Sequence, residues 1–152
     1  MMGRAELRSG FRNIAGRAAN LSGDWNRPAI GYEGWNCKDL LAHITSTAAA
    51  LPAVAATVYI PEAEAREGAA FDADRWNASQ VRRRKEVGAV QLVAELTEAT
   101  DALDVTLADL DLTLKVRAGP YSGLSADDAM ADMIKHQNDH LDDLEALLSS
   151  RH

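Results

Sequence analysis

The sequence has little of several residue types on which particular folds and cellular locations depend. It contains one cysteine, Cys37, which excludes an internal disulfide framework and a zinc site built from several cysteines. No apolar run approaches the eighteen or so residues of a membrane span, and no apolar core of a signal peptide follows Met1. We therefore expect a cytoplasmic protein that does not bind to a membrane.

Positive charge is also scarce, because 16 lysines and arginines are outnumbered by 23 aspartates and glutamates and leave a net charge of −7. A surface of this sign repels phosphate backbones, so nucleic acid is not an expected partner. The one basic run, Arg82 to Lys85, is embedded in this acidic chain. It is interpreted as a solvated helix face, with anion binding as the alternative.

What the sequence does contain is a series of amphipathic helical patterns. Apolar residues recur at steps of three and four from 4 to 21, from 36 to 60, from 88 to 110 and from 125 to 149. A shorter helical segment, 76 to 86, precedes the third long helix. Pro52 lies inside the second helix and predicts a kink or a break there. The alternating residues 110 to 116 are interpreted as an extended loop, because no second strand is available to pair with them.

Four long helices predict an all-α fold, a four-helix bundle that occupies 1–152 as a single domain. The modest loop between the first two helices predicts that they are antiparallel neighbours. The roughly 25 residues between the second and third helices are enough to cross the bundle, so these two helices can run parallel. The predicted order of directions is up, down, down, up, with the last helix antiparallel to the second.

Two histidines on the last helix, His136 and His140, are one turn apart and therefore share a face. They recur in step with apolar residues, which places them toward the interior. On these two residues alone, a pair of hydrogen-bonded core histidines is favoured over a metal site, and a third ligand would reverse that preference. A third histidine, His43, lies on the interior stripe of the second helix, about 10 Å from its start.

Because the second and last helices are predicted to be antiparallel, the three imidazoles should lie at similar depth in the bundle. Three neutral nitrogens can bind one divalent metal and leave positions open for water or substrate, as catalytic sites do. Imidazole ligands suit zinc, nickel, iron or copper, and their spacing does not choose among these metals; we expect zinc or nickel first. The catalytic group would be a metal-bound water or thiolate, and no side chain is assigned to that role.

Several other residues are candidates for supporting roles. Asp39 and Asp132 each lie one turn before a histidine and could orient it, although helix capping is the alternative for Asp39. Cys37 is predicted to point away from the ion, so a reacting thiol would arrive with the substrate. Four residues are candidates to line a pocket, with simple packing as the alternative: Trp35, Trp76, Asn77 and Tyr121.

Three segments resemble a known family. Residues 34–44, GWNCKDLLAHI, look like the second-helix signature of the DinB-like superfamily. Residues 71–78, FDADRWNA, are similar to the segment before the third helix in its mycothiol-dependent maleylpyruvate isomerase branch. His136 and His140 match the ligand pair on the last helix, although that branch often has glutamate at the first of these positions.

The resemblance implies an up-down-down-up bundle with a divalent metal on His43, His136 and His140, and frequent homodimers. It also implies transfer or isomerisation with a low-molecular-weight thiol such as mycothiol or bacillithiol, acting on a small-molecule electrophile. A metal-dependent thiol S-transferase or isomerase is therefore the first hypothesis. A metal-dependent hydrolase is the second, and a non-enzymatic bundle that binds a metal, a ligand or another protein is the third.

Overall fold

The computed structural model describes residues 2–61, 64 and 71–149, and these residues form five α-helices and no strand longer than an isolated bridge. The helices are α1 (Arg4–Ala19), α2 (Cys37–Ala56), α3 (Ala73–Arg83), α4 (Ala89–Asp109) and α5 (Ala126–Ser149). A 3₁₀ turn, Thr57–Tyr59, follows α2 directly. The predicted all-α fold is confirmed, with α1, α2, α4 and α5 as its four long helices.

Each of the two helices that carry the histidines begins at a side-chain cap provided by the residue just before it. The Asn36 side chain accepts a hydrogen bond from the Asp39 N–H, and the Asp39 carboxylate accepts one from the Asn36 N–H, which together make a capping box. Ser125 accepts a hydrogen bond from the Asp128 N–H at the start of α5. These contacts satisfy backbone donors that no helical carbonyl can reach, and so they determine where both helices start.

The expected break at Pro52 does not occur, because α2 continues through this residue to Ala56. Proline removes a single backbone hydrogen bond from the helix. Leu51 and Ala55 on either side of it are buried in the core. Their packing holds the last turn of α2 in helical form.

The direction of α4 relative to α1 follows from a ladder of arginine contacts. Near the start of α1, Arg4 donates to the carbonyl oxygens of Leu107 and Leu110. Two turns later, Arg12 donates to Asp101 at 2.6 Å. Residue numbers rise in one helix as they fall in the other, so α1 and α4 are antiparallel.

The contacts of α2 complete the set of directions. The Thr45 hydroxyl donates to the carbonyl oxygen of Leu92, and Lys85, just before α4, pairs with Asp39, so α2 and α4 are parallel. Next to His43, the carbonyl oxygen of Ile44 accepts a hydrogen bond from the side chain of Gln137 in α5. Gly10 lies beside Ile134 and Arg17 beside Asn138, so α1 and α5 are parallel. Because α2 is parallel to α4 and α4 is antiparallel to α1, α2 and α5 are antiparallel. The up-down-down-up order is therefore as predicted.

The expectation that α1 and α2 are neighbours was wrong. Each packs against α4 and α5, so α1 and α2 lie diagonally across the bundle. The connection between them, 20–36, is long enough to cross the end of the bundle, where it packs on the last turns of α5. There Arg27 donates to the Leu147 carbonyl oxygen, and Gly23, with φ of +144°, lies so close to Leu148 that a side chain would collide with it.

The segment Cys37–Tyr59 is long and apolar enough to cross a membrane by length and composition, with a mean hydropathy of 1.4. The sequence expectation that no run approaches this length was therefore too strong. In the described part of the chain, 56% of that window is buried, because α2 packs against α3, α4 and α5. Its apolar character is accounted for by its place in the core and does not indicate a membrane protein.

The segment 110–125 forms an irregular loop, as predicted, with an isolated bridge between Lys115 and Ser125. Val116 anchors this loop in the core and donates its backbone N–H to the Leu124 carbonyl oxygen at 2.8 Å. The turn between them carries Pro120 and Tyr121 toward the groove between α2 and α5. The loop thus contributes one wall of the site.

Candidate metal centre and adjoining cavity

The three histidines named by their spacing converge in the structure. One nitrogen from each of His43, His136 and His140 can be chosen so that all three lie within 4.8 Å of one another. The ring centroids of His43 and His140 are 4.9 Å apart, and those of His136 and His140 are 4.5 Å apart. The antiparallel packing of α2 on α5 produces this convergence by placing residue 43 beside the turn from 136 to 140.

Burial differs among the three imidazoles. His43 is 7% exposed and His140 is half-buried, whereas His136 is exposed. The prediction that all three face the interior was therefore wrong for His136. The face of α5 at this position does not meet another helix; it borders an open cavity, and His136 lies on the wall of that cavity.

Both buried imidazoles are held in the neutral form. Burial, together with the neighbouring His140 and His136, lowers the pKa of His43 to about 4. Burial also lowers the pKa of His140 to about 4, assisted by His136 and opposed by Asp143 and Asp139. Neutral imidazoles have a free lone pair at neutral pH, which is the form that binds a metal ion.

Two nitrogens of the cluster lack hydrogen-bond partners. His43 Nδ1 and His140 Nε2 are buried without a partner among the described residues. A buried polar atom left unpaired costs free energy, and a cation shared by the three imidazoles would remove that cost. The residues present therefore fit a divalent metal ion, to which each of the three histidines can offer one nitrogen.

The tautomer of His140 follows from the hydrogen bonds of Tyr32. The Tyr32 hydroxyl donates its one proton to Asp143 Oδ2 at 2.5 Å, because a carboxylate can only accept. The same oxygen lies 2.9 Å from His140 Nδ1 and must therefore accept the proton on that nitrogen. Burial first, and then Asp143, raises the pKa of Tyr32, so the phenol stays protonated. This arrangement leaves the Nε2 lone pair of His140 free for a cation.

The two aspartates predicted to orient the histidines have other partners. Asp39 caps α2 and forms an ion pair with Lys85 at 3.1 Å, so the capping alternative accounts for it. Asp132 is exposed and faces the Tyr121 hydroxyl, which it hydrogen-bonds; burial and this contact raise the pKa of Tyr121 to about 12. The residue that orients a histidine is Tyr32 instead, through its hydroxyl contact with His140 Nδ1. Sequence spacing could have suggested Asp143, one turn beyond His140, but it offers no signal that a tyrosine 108 positions away would join it.

A cavity of about 370 Å³ opens beside the histidines. His43 and His136 lie on its wall together with three of the four predicted pocket residues, Trp76, Asn77 and Tyr121. The remainder of the described wall consists of small, aliphatic and aromatic residues and one threonine from α2, α3, α5 and the loops beside them: Thr47, Ala50, Leu51, Ala53, Val54, Phe71, Ala73, Gly119, Pro120 and Met133.

Trp35, the fourth predicted pocket residue, does not line the described cavity. Its ring packs against His43 at a centroid distance of 5.3 Å and stacks on Tyr32 at 6.2 Å. It covers the histidines on the side of the 20–36 loop. Cys37 is fully buried in the core and is not part of the cluster, and burial raises the pKa of its thiol.

The sequence match agrees with this geometry. No curated protein and no solved structure matches the chain. The family model described as "Mycothiol maleylpyruvate isomerase N-terminal domain" matches residues 7–142. This span contains all three histidines and all the described residues that line the cavity. The chain therefore belongs to the mycothiol maleylpyruvate isomerase N-terminal domain family, a branch of the DinB-like superfamily.

Proposed function

We propose that this protein is a metal-dependent enzyme that transfers a low-molecular-weight thiol, such as mycothiol or bacillithiol, to a small electrophile or uses it to isomerise one. The observation that carries the proposal is the convergence of three histidine nitrogens within 4.8 Å on the wall of a cavity of about 370 Å³. Membership of a mycothiol-related family supports the thiol as co-substrate.

Each part of the site has a role in this proposal. His43, His136 and His140 would hold the cation, and Tyr32 with Asp143 holds His140 in the tautomer that presents Nε2. A bound divalent cation would supply a positive charge that lowers the pKa of the thiol, so that the thiolate is the nucleophile. The protein offers no thiol of its own, because Cys37 is enclosed in the core.

The cavity is the proposed binding place of the electrophile. It adjoins His43 and His136 directly, so an occupant would lie next to the thiol. Its described wall is mostly apolar, so an electrophile bound there would displace water from beside the thiolate. We place the reaction in the cytoplasm, where low-molecular-weight thiols are kept reduced.

The test is consumption of an electrophile by protein purified without a histidine-rich tag. Monochlorobimane would be supplied with mycothiol and added zinc or nickel, and its conjugate followed by fluorescence. We expect conjugation that depends on protein, metal and thiol together and is absent from a His43→Ala variant. Arg12→Ala, on the far face of α1, is the matched control and should retain the activity.

The same assay separates the two alternatives. Metal-dependent turnover of an ester or amide in the absence of thiol would replace the proposal with a hydrolase. Stoichiometric metal binding with no turnover of any electrophile by any thiol would replace it with a metal-binding protein.

A further inference from the structure

The composition of the cavity wall limits what the electrophile can be. Apart from His43 and His136, its described wall holds one titratable side chain, Tyr121, and no lysine, arginine, aspartate or glutamate. Tyr121 is hydrogen-bonded to Asp132, which keeps its phenol protonated and uncharged. Away from the histidines, an anionic group would therefore lose its hydration without gaining a cationic side chain among the described residues in return, which is unfavourable.

The shape of the cavity adds a second constraint. Its wall extends along α2 from His43 to Val54, a distance of about 16 Å. A dicarboxylate such as maleylpyruvate could place one carboxylate near the histidines, but the other would lie against apolar wall. In the described wall, a complementary positive charge is therefore expected only at the histidine end, where the proposed cation would be bound.

Aromatic side chains form the wall on the side of α3. Phe71 and Trp76 have ring centroids 6.4 Å apart and planes tilted by 48°, which makes an angled corner open to the cavity. Aromatic ligands pack well in such corners, edge to face or offset against the rings. A volume of about 370 Å³ is at the small end of ligand pockets and suits a molecule of one or two rings.

The amide of Asn77 is a polar group on the described wall that is available to orient such a molecule. This amide makes no hydrogen bond to any side chain or backbone group in the ranges that the structure describes. An amide can donate to a neutral carbonyl or nitro oxygen as well as accept from a hydroxyl. It favours an uncharged ligand with one polar substituent over a fully apolar one.

We propose that the cavity selects an uncharged, aryl-bearing electrophile and discriminates against carboxylates, including the dicarboxylate for which the family is named. This inference rests on the proposed function in treating the occupant as the electrophile. It departs from the family's named substrate on the basis of this chain's own wall residues.

The test compares 1,3-dinitrobenzene with its carboxylate, 3,5-dinitrobenzoate, as binding probes of the full chain freed of metal by a chelator. Nitroaromatic rings quench tryptophan fluorescence, and Trp76 supplies the signal, which a Trp76→Phe variant should lose. We expect the uncharged compound to bind at least about tenfold more tightly. Equal or tighter binding of the carboxylate, or no saturable binding of 1,3-dinitrobenzene, would overturn the proposal.

Two lysine variants distinguish an effect of the cavity wall on ligand preference from an effect of the protein's net charge. Ala53 is exposed at the cavity wall, so Ala53→Lys should tighten binding of 3,5-dinitrobenzoate and reduce the preference. Ala94→Lys adds the same charge at an exposed position of α4 that does not line the described cavity, and should leave the preference unchanged. An equal response of both variants would show that the preference comes from net charge, and would overturn the proposal.

The outcome is independent of the thiol reaction, because no metal or thiol is present. A preference for the uncharged probe in a protein that conjugates no electrophile would defeat the proposed function and leave the selectivity of the cavity standing. Metal-dependent conjugation in a protein that prefers the carboxylate would do the reverse.

Discussion

Where α1 meets α4 and α5, its arginines are paired at successive turns. Arg4 donates to two carbonyl oxygens, Arg8 and Arg12 meet Asp104, and Arg17 contacts both Asn138 and Asp142. Where α2 meets α5, the situation is reversed, because His43 Nδ1, His140 Nε2 and Gln137 Oε1 are buried without partners in the described ranges.

The polar groups of the α1 interface and those of the α2–α5 interface contribute differently to the stability of the bundle. Pairing at the α1 interface fixes the direction and register of three helices at little cost, since the charges stay near solvent. The α2–α5 interface leaves buried nitrogens unpaired, which lowers stability unless a bound ion restores their interactions. The unpaired imidazole nitrogens beside the cavity therefore indicate a part of the bundle that is suited to binding a cation.

The largest expected effect comes from removing a ligand on the α2 side. His43→Ala should weaken zinc or nickel binding by more than about a hundredfold, because α2 contributes no other ligand. This loss is larger than the one expected when a residue that only orients a ligand is removed. Isothermal titration of tag-free protein measures it. Arg12→Ala should bind metal as the unaltered protein does, and undiminished affinity in His43→Ala would contradict the assignment of the site.

Acidification should weaken the metal-free protein through the same interface. Folding lowers the pKa of both His43 and His140 from 6.5 to about 4, so between these values the unfolded chain takes up protons that the folded chain refuses. The contribution of these histidines to the free energy of unfolding is therefore fully present above pH 6.5 and is lost as the pH drops toward 4. For His43 this loss is on the order of 3 kcal/mol.

Urea unfolding of metal-free protein at about pH 7, 6 and 5 measures this dependence. The free energy of unfolding of His43→Ala should fall less over the same pH range, because one of the two histidines is absent. The carboxylates of the variant are unchanged, so their titration contributes equally to both proteins. Parallel curves for the two proteins would show that His43 is not held neutral by the fold.

A smaller effect is expected from the support of His140. Tyr32→Phe removes the hydroxyl that accepts from Nδ1 and donates to Asp143, so metal affinity should fall by about tenfold. Tyr59→Phe is the matched control, because its hydroxyl accepts from the Asp111 N–H, away from the histidines. A loss of affinity in both variants, or in neither, would contradict the role of Tyr32.

The smallest effect is expected on the paired side. Arg17→Ala removes a hydrogen bond to Asn138 and ion pairs with the exposed Asp142 and Glu145, so it should lower the free energy of unfolding by about 1 kcal/mol. Metal affinity should stay unchanged. A large loss of affinity would show that the two interfaces are coupled through α5.

The helices themselves could be predicted because their signals are local. Apolar residues at steps of three and four indicate four long helices, Asn36 and Ser125 mark two of the starts, and the four-residue step from His136 to His140 places both on one face. The direction of α2 against α5 followed from the length of the connections, and with it the convergence of His43. Each of these inferences depends on residues close in sequence or on a simple count of residues between helices.

The parts that could not be predicted depend on contacts between distant segments. The diagonal placement of α1 and α2, the exposure of His136 and the position of Trp35 outside the cavity all follow from how the loops cross the bundle. Tyr32 reaches His140 because the 20–36 loop packs on the end of α5.

By itself, then, the sequence determined that this is a helical bundle with three imidazoles able to meet, because helical periodicity is a property of the chain's own backbone geometry. Tertiary packing alone decided that two of their nitrogens would be buried without partners among the described residues, and that a tyrosine would set the tautomer of one of them. It also decided that the described wall beside them would hold no lysine, arginine, aspartate or glutamate. Burial and hydrogen bonding are properties of the space between segments, and no spacing along a single helix specifies that space.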